Sequence, residues 1–89
     1  MEIQNMTSKR SGRVVANQFE IFTDKGKYFQ SYSTMIAFKS FDGKIQLDID
    51  NHDYSHTTIK YRNQFLGMTS KEVNQAIKNG DIKLINLNL

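Results

Sequence analysis

Four titratable side chains crowd one short stretch: Asp48, Asp50, His52 and Asp53, with His56 four residues beyond His52. Carboxylates and imidazoles at such spacing are the raw material of a metal site. The calcium-loop pattern fails, however. With Asp48 in first place, the sixth place holds Asp53 instead of glycine and the twelfth holds Ile59 instead of glutamate. His52 and His56 would share a face only if both were helical, and His52 reads as preceding the helix, with no third ligand at hand. Ser55 and His56 do not make a nucleophile and its base, because neighbours in sequence point apart on a helix. None of the five glycines belongs to a phosphate-cradling loop; all read as turn or cap residues. The expectation is a protein with no metal, no cofactor and no catalytic constellation, and so not an enzyme.

Lys60-Tyr61-Arg62, with Tyr54 and Thr57-Thr58 nearby, offers another chemistry. Such a set can hold an anion at a helix N-terminus or stack a base. The helical spacing of Tyr61 and Phe65 favours a structural reading, with the rings packed inward and Lys60 and Arg62 in water.

These residues need a frame, and hydropathy patterning supplies one. Residues 1–13 are polar and aperiodic and read as a flexible basic tail, leaving 14–89 as one α+β domain. Val14 to Phe22 alternates like a strand. Asp24-Lys25-Gly26 suits a three-residue hairpin loop, which sets Ile21 opposite Phe29 and Phe22 opposite Tyr28. Tyr28 to Phe41 reads as one long strand, bent or bulged near Ser33-Thr34. Asp42-Gly43 signals a second hairpin, with Phe38 opposite Leu47 and Ile36 opposite Ile49. Thr57 to Leu66 reads as a short helix stopped by Gly67. Thr69-Ser70-Lys71-Glu72 is a capping box for a second helix that closes at Asn79-Gly80. Ile82 to Leu89 alternates as a last strand, able to join the sheet or to pair with a second copy in a homodimer. The expected fold is an antiparallel sheet of three to five strands, covered on one face by two short helices. Phe19, Ile21, Phe29, Ile36, Phe38, Leu47 and Ile49 would form the covered face. Phe22, Tyr28 and Tyr32, with Phe41 near its end, would form an exposed aromatic face.

Composition narrows the functional classes. The chain has 89 residues, 38% hydrophobic, with six Phe and four Tyr and no cysteine. That suffices for one modest core without disulfides or thiolate chemistry. No apolar run approaches membrane-spanning length and no secretory segment opens the chain, so an intracellular soluble protein, in the cytoplasm, is the expectation. The formal charge is +3, of which the first 13 residues carry +2 through Lys9, Arg10 and Arg13 against Glu2. The remainder is nearly balanced, unlike a typical nucleic-acid-binding surface.

Tyr28-Phe29-Gln30-Ser31-Tyr32, Ile36-Ala37, Asp42-Gly43-Lys44 and above all the block from Asp53-Tyr54-Ser55 through Thr57-Thr58 and Lys60-Tyr61-Arg62-Asn63-Gln64-Phe65-Leu66 carry a resemblance. They resemble a family of small uncharacterised proteins borne by phages and plasmids of low-GC Gram-positive bacteria. The likeness spans Phe19 to about Gly80. Where this chain has His52, that family often has Trp. The resemblance implies a dispensable mobile-element gene product acting inside a bacterial host. Together with the small size and the aromatic face, it leads to the expectation of a stoichiometric binder of a host protein, such as an anti-CRISPR inhibitor. Its contact surface would draw on Phe22, Tyr28, Tyr32, Phe41, His52, Asp53, Tyr54, His56, Lys60 and Arg62. The alternative is a nucleic-acid-binding accessory protein using the basic tail with Lys60 and Arg62.

Overall fold

Turn chemistry divides the first half of the chain into five strands: β1 (Glu2–Thr7), β2 (Val14–Phe22), β3 (Gly26–Ser31), β4 (Thr34–Ser40) and β5 (Ile45–Asp48). Each runs antiparallel to the one before it. Helices α1 (His56–Leu66) and α2 (Ser70–Asn79) follow, and β6 (Ile82–Ile85) returns parallel to β5. The sheet order is the chain order, β1-β2-β3-β4-β5-β6. These elements belong to a computed structural model that describes residues 1–88. The fold is α+β as expected, but the sheet has six strands and one parallel pair. A parallel return needs a crossover of a dozen residues or more, and the two helices provide it. Among the described residues no helix is long and apolar enough to cross a membrane.

The expected flexible tail is corrected: residues 2–7 form β1, with Ile3 opposite Ile21. Met6 enters the core at 4% exposure, and Gln64 Nε2 donates to the Thr7 carbonyl at 2.7 Å. Two apolar residues and a ladder of backbone bonds, irregular only between Asn5 and Thr7, suffice to order a segment that looks polar in sequence.

The long strand expected from Tyr28 to Phe41 is two strands, paired across a tight turn at Tyr32-Ser33. Tyr32 adopts φ 55°, and its N–H donates to the carbonyl of Asn17, itself at φ 65°, over 2.7 Å.

Both remaining hairpins pair one residue out of the expected register: the β2–β3 loop is one residue shorter than its signal suggests and the β4–β5 loop one residue longer. Thr23 N–H and its hydroxyl both donate to the Gly26 carbonyl, so Phe22 faces Lys27 and Ile21 faces Tyr28. Phe41, Asp42 and Gly43 make a three-residue loop closed by Ser40 N–H on the Lys44 carbonyl, so Ala37, not Phe38, faces Leu47. A one-residue slip exchanges the faces of every side chain. Ile21 and Phe38 therefore turn away from the helices, where the Tyr28 and Phe38 rings pack with centroids 4.5 Å apart. Phe22 goes the other way, onto the helix side with Lys27, whose Nζ lies 5.1 Å from the Phe65 ring centroid. Ile49 sits beyond the end of β5 and is exposed.

A bulge compensates. Phe29 pairs with Ala37 and Gln30 with Met35, leaving Ile36 as the extra residue. The bulge turns both Ile36 and Ala37 into the core. Phe29, Ile36, Leu47 and Ile82 from the sheet meet Tyr61, Phe65 and Leu66 from α1 and Val73 from α2. The capping box forms as expected: Thr69 Oγ1 accepts Glu72 N–H (3.2 Å) and Glu72 Oε1 accepts Thr69 N–H (2.9 Å).

Candidate functional site

Asp48 governs the loop from which the site is built. It ends β5 almost fully buried, yet its carboxylate gathers three donors. Oδ1 accepts Leu87 N–H (2.8 Å), and Oδ2 accepts Asn51 N–H (3.0 Å) and Asn51 Nδ2 (2.7 Å). Burial pushes its carboxyl pKa up, but the bonds from Leu87 and Asn51, with help from Asn88, outweigh that and hold it below the ordinary value. The loop 49–55, tied at Asn51, carries Tyr54 outward and ends at Ser55. Ser55 caps α1 by accepting Thr58 N–H on its hydroxyl at 3.1 Å.

This path opens a cleft of about 340 Å³ between loop 49–55 and the β3–β4 turn. Ser31, Thr34, Asn51, Ser55 and Thr58 give it hydroxyl and amide groups, and Ile36 gives an apolar floor. Tyr32 and Tyr54 line it while remaining 63% and 78% exposed. Two phenols over a mixed polar and apolar hollow make a binding surface: each ring offers a large flat apolar area and one hydroxyl, at little loss of rotamer freedom.

Directly beneath the loop, His52 and Arg62 are buried against each other. Their residues are 8% and 2% exposed. Arg62 Nη1 donates to His52 Nδ1 at 3.0 Å and to the His52 carbonyl at 3.3 Å. Nε and Nη2 both donate to Asn63 Oδ1, at 3.2 and 2.9 Å. A guanidinium has only donors, so His52 Nδ1 must accept and the imidazole must be neutral. The expected surface roles of His52 and Arg62 are thus corrected. Helical spacing put Arg62 beside Leu66 on a stripe that faces inward, and its charge is met by neutral acceptors.

The environment of His52 fixes the direction of a pH effect. Burial lowers its pKa below the ordinary 6.5; Asp53 and Asp48 act to raise it, and Arg62 to lower it. The unfolded chain therefore binds a proton at higher pH than the native one, and stability falls as pH drops through 6.5 towards the native value. The carboxyl of Asp48 adds a second loss at lower pH, as it protonates below 3.8. Urea midpoints are expected to fall between pH 7 and 5 in the native sequence. His52→Gln, which keeps an acceptor for Arg62 but cannot titrate there, is expected to flatten that slope. An equal slope in both proteins would remove His52 as its source.

A family model described as a family of unknown function (DUF8033) matches residues 1–81. The chain belongs to DUF8033. No curated protein and no solved structure matches it. The DUF8033 match takes in β1 and the turn after it, which the motifs between Phe19 and Gly80 leave out.

The other expected site residues of this DUF8033 chain are scattered. Tyr32 and Tyr54 come together. Asp53 and His56 are exposed next to Tyr54 on the loop and the first turn of α1. Phe41 is exposed in the β4–β5 turn, a strand length from Tyr32, roughly 20 Å. Phe22 is half-buried on the helix side, and Tyr28 is half-buried against Phe38 on the other. Lys60 is exposed and lines a different groove, with Lys9 and Arg10. Asp48, Asp50, His52 and Asp53 do not converge; among the described residues no group of three or more His, Cys, Asp or Glu is placed to hold a metal ion. Sequence reading missed Ser31, Thr34 and Ile36 as cleft residues. The signal was the Ser-Tyr-Ser-Thr run, where alternation lapses between two apolar stretches.

Proposed function

We propose that this protein acts by stoichiometric binding of a host protein, gripping a segment of it in the Tyr32–Tyr54 cleft. The mobile-element resemblance makes a defence component, such as a CRISPR effector, the partner of choice, and the protein its inhibitor. One observation carries the reading: two widely exposed tyrosines share one cleft, and one of them holds an unfavourable backbone conformation to be there. A tyrosine at φ 55° costs about 1–2 kcal/mol relative to glycine. Such strain is retained mainly where a side chain is needed at that point. Tyrosine is also among the residues that dominate binding energy at protein interfaces.

The test separates folding from binding. Tyr32→Gly relieves the backbone strain and is expected to leave the urea midpoint unchanged or raised. Tyr54→Ala, at an exposed loop position, is expected to leave it within about 0.5 kcal/mol. Both are expected to weaken capture of the partner about 30-fold, the loss typical of an interface anchor worth about 2 kcal/mol. Affinity capture from a host lysate with the native chain and with the double variant Tyr32→Gly/Tyr54→Ala makes the comparison. The native chain should retain a protein at a one-to-one ratio that the variant loses. Identical captured sets would overturn the assignment of this cleft.

A further inference from the structure

We infer that a second surface, the groove between the β1–β2 turn and the junction of α1 and α2, binds the phosphodiester backbone of single-stranded nucleic acid. The groove measures about 550 Å³ and is lined by Lys9 and Arg10 from the turn, Lys60 from α1 and Glu72 from α2. Lys60 lies 50 residues beyond Arg10 in the sequence, so only folding brings it to Lys9 and Arg10. Three cations stand against one carboxylate, and that carboxylate is engaged: Glu72 Oε1 accepts Thr69 N–H at 2.9 Å. The groove thus concentrates most of the excess positive charge of a chain whose formal total is +3.

The turn that presents Lys9 and Arg10 is built, not frayed. Ser8 N–H donates to the Arg13 carbonyl (2.9 Å) and Gly12 N–H to the Ser8 carbonyl (2.7 Å). Ser8 Oγ accepts the N–H of Arg10 at 3.2 Å. Gln64, which also lines the groove, ties the end of β1 to α1 through the Thr7 carbonyl. Cations held on an ordered frame lose less freedom on binding than cations on a loose tail. The groove offers no aromatic ring, so recognition is by charge and spacing and is indifferent to base identity. Arg62, buried under His52, takes no part.

Fluorescence anisotropy with labelled oligothymidylate, and oligouridylate as the RNA arm, tests this. Three neutralised phosphates on a single strand predict roughly 20-fold weaker binding between about 50 and about 200 mM salt. Lys9→Ala/Arg10→Ala/Lys60→Ala is expected to lose at least tenfold at the lower salt and most of the salt dependence, with an unchanged circular dichroism spectrum. The control Lys44→Ala/Lys78→Ala, with cations outside the groove, is expected to bind within twofold of the native chain. No binding at low salt, or an equal loss in the control, would overturn the inference. Equal competition by polyglutamate would overturn it too, by making the groove a site for acidic polypeptide. Tyr32→Gly/Tyr54→Ala is expected to bind oligonucleotide normally, so failure here and failure of the tyrosine cleft remain distinguishable.

Discussion

Gly26→Ala is expected to cost the protein a large share of its stability, while Gly43→Ala costs far less. Both glycines have positive φ, at 155° and 89°, and both sit in hairpin turns. Their surroundings differ. A Cβ at Gly26 would lie 2.3 Å from the Lys39 carbonyl oxygen and 2.8 Å from Ser40 Cα, both backbone atoms of the neighbouring strand. Neither can swing aside as a side chain would, so β3 and β4 must part where they pair at Gly26 and Ser40. A Cβ at Gly43 meets nothing within 4 Å. Gly43→Ala should therefore lose only the left-handed penalty of about 1–2 kcal/mol. Gly26→Ala should lose about 3–5 kcal/mol, at the extreme of single substitutions. A domain of this length has about 4–13 kcal/mol in total. Urea titrations of the two variants side by side measure the difference, and equal midpoints would show that β3 and β4 yield at no cost.

The same glycine explains what the sequence could and could not disclose. The helices were legible because their signals are local. Thr69 and Glu72 sit three apart, Gly67 and Gly80 follow the last helical residues, and each cap forms as its spacing implies. The faces of the sheet were not legible, because register depends on where a turn closes. Glycine marks both turns, yet Gly26 opens β3 and leaves a loop one residue shorter than expected, while the loop ending at Gly43 holds one residue more. That single step moved Phe38 and Ile21 off the covered face and Phe22 onto it. A bend or bulge is expected near Ser33-Thr34, where the chain makes a tight turn; the bulge itself lies at Ile36, and nothing in Met35-Ile36-Ala37 marks that position. The site divided along the same line. The stretch from Asn51 to Thr58 is contiguous, and it supplies one wall of the tyrosine cleft. The other wall depends on a turn at Tyr32-Ser33 made without Gly, Pro, Asn or Asp. Lys9, Arg10 and Lys60 meet only because β1 joins the sheet, which a polar N-terminal segment does not advertise.

Asp48→Ala is expected to weaken both the fold and the tyrosine cleft, and so to connect the two. The substitution removes the acceptor of Leu87 N–H and of both Asn51 donors at a position with 1% exposure. Orphaning backbone donors there should destabilise by about 3 kcal/mol, since each unsatisfied buried group costs about 1–3 and part of the loop can turn to water. Asp48→Asn should fall between, because its amide keeps an oxygen for Leu87 but presents a second donor to Asn51. Asn51→Ala removes only the side-chain donor and should cost about 1 kcal/mol. Tyr54 lies three residues beyond Asn51, and its N–H donates to the Asn51 carbonyl at 3.2 Å. Loss of the Asp48 anchor therefore frees the tyrosine from its place in the cleft. Hydrogen exchange provides the direct reading: the amides of Asn51, Tyr54 and Leu87 should lose protection in Asp48→Ala while that of Val73, in α2, changes only by the global loss of stability. Retained protection at Asn51 and Leu87 would mean that the loop is held by its own turns, and the carboxylate would then have no part in shaping the cleft.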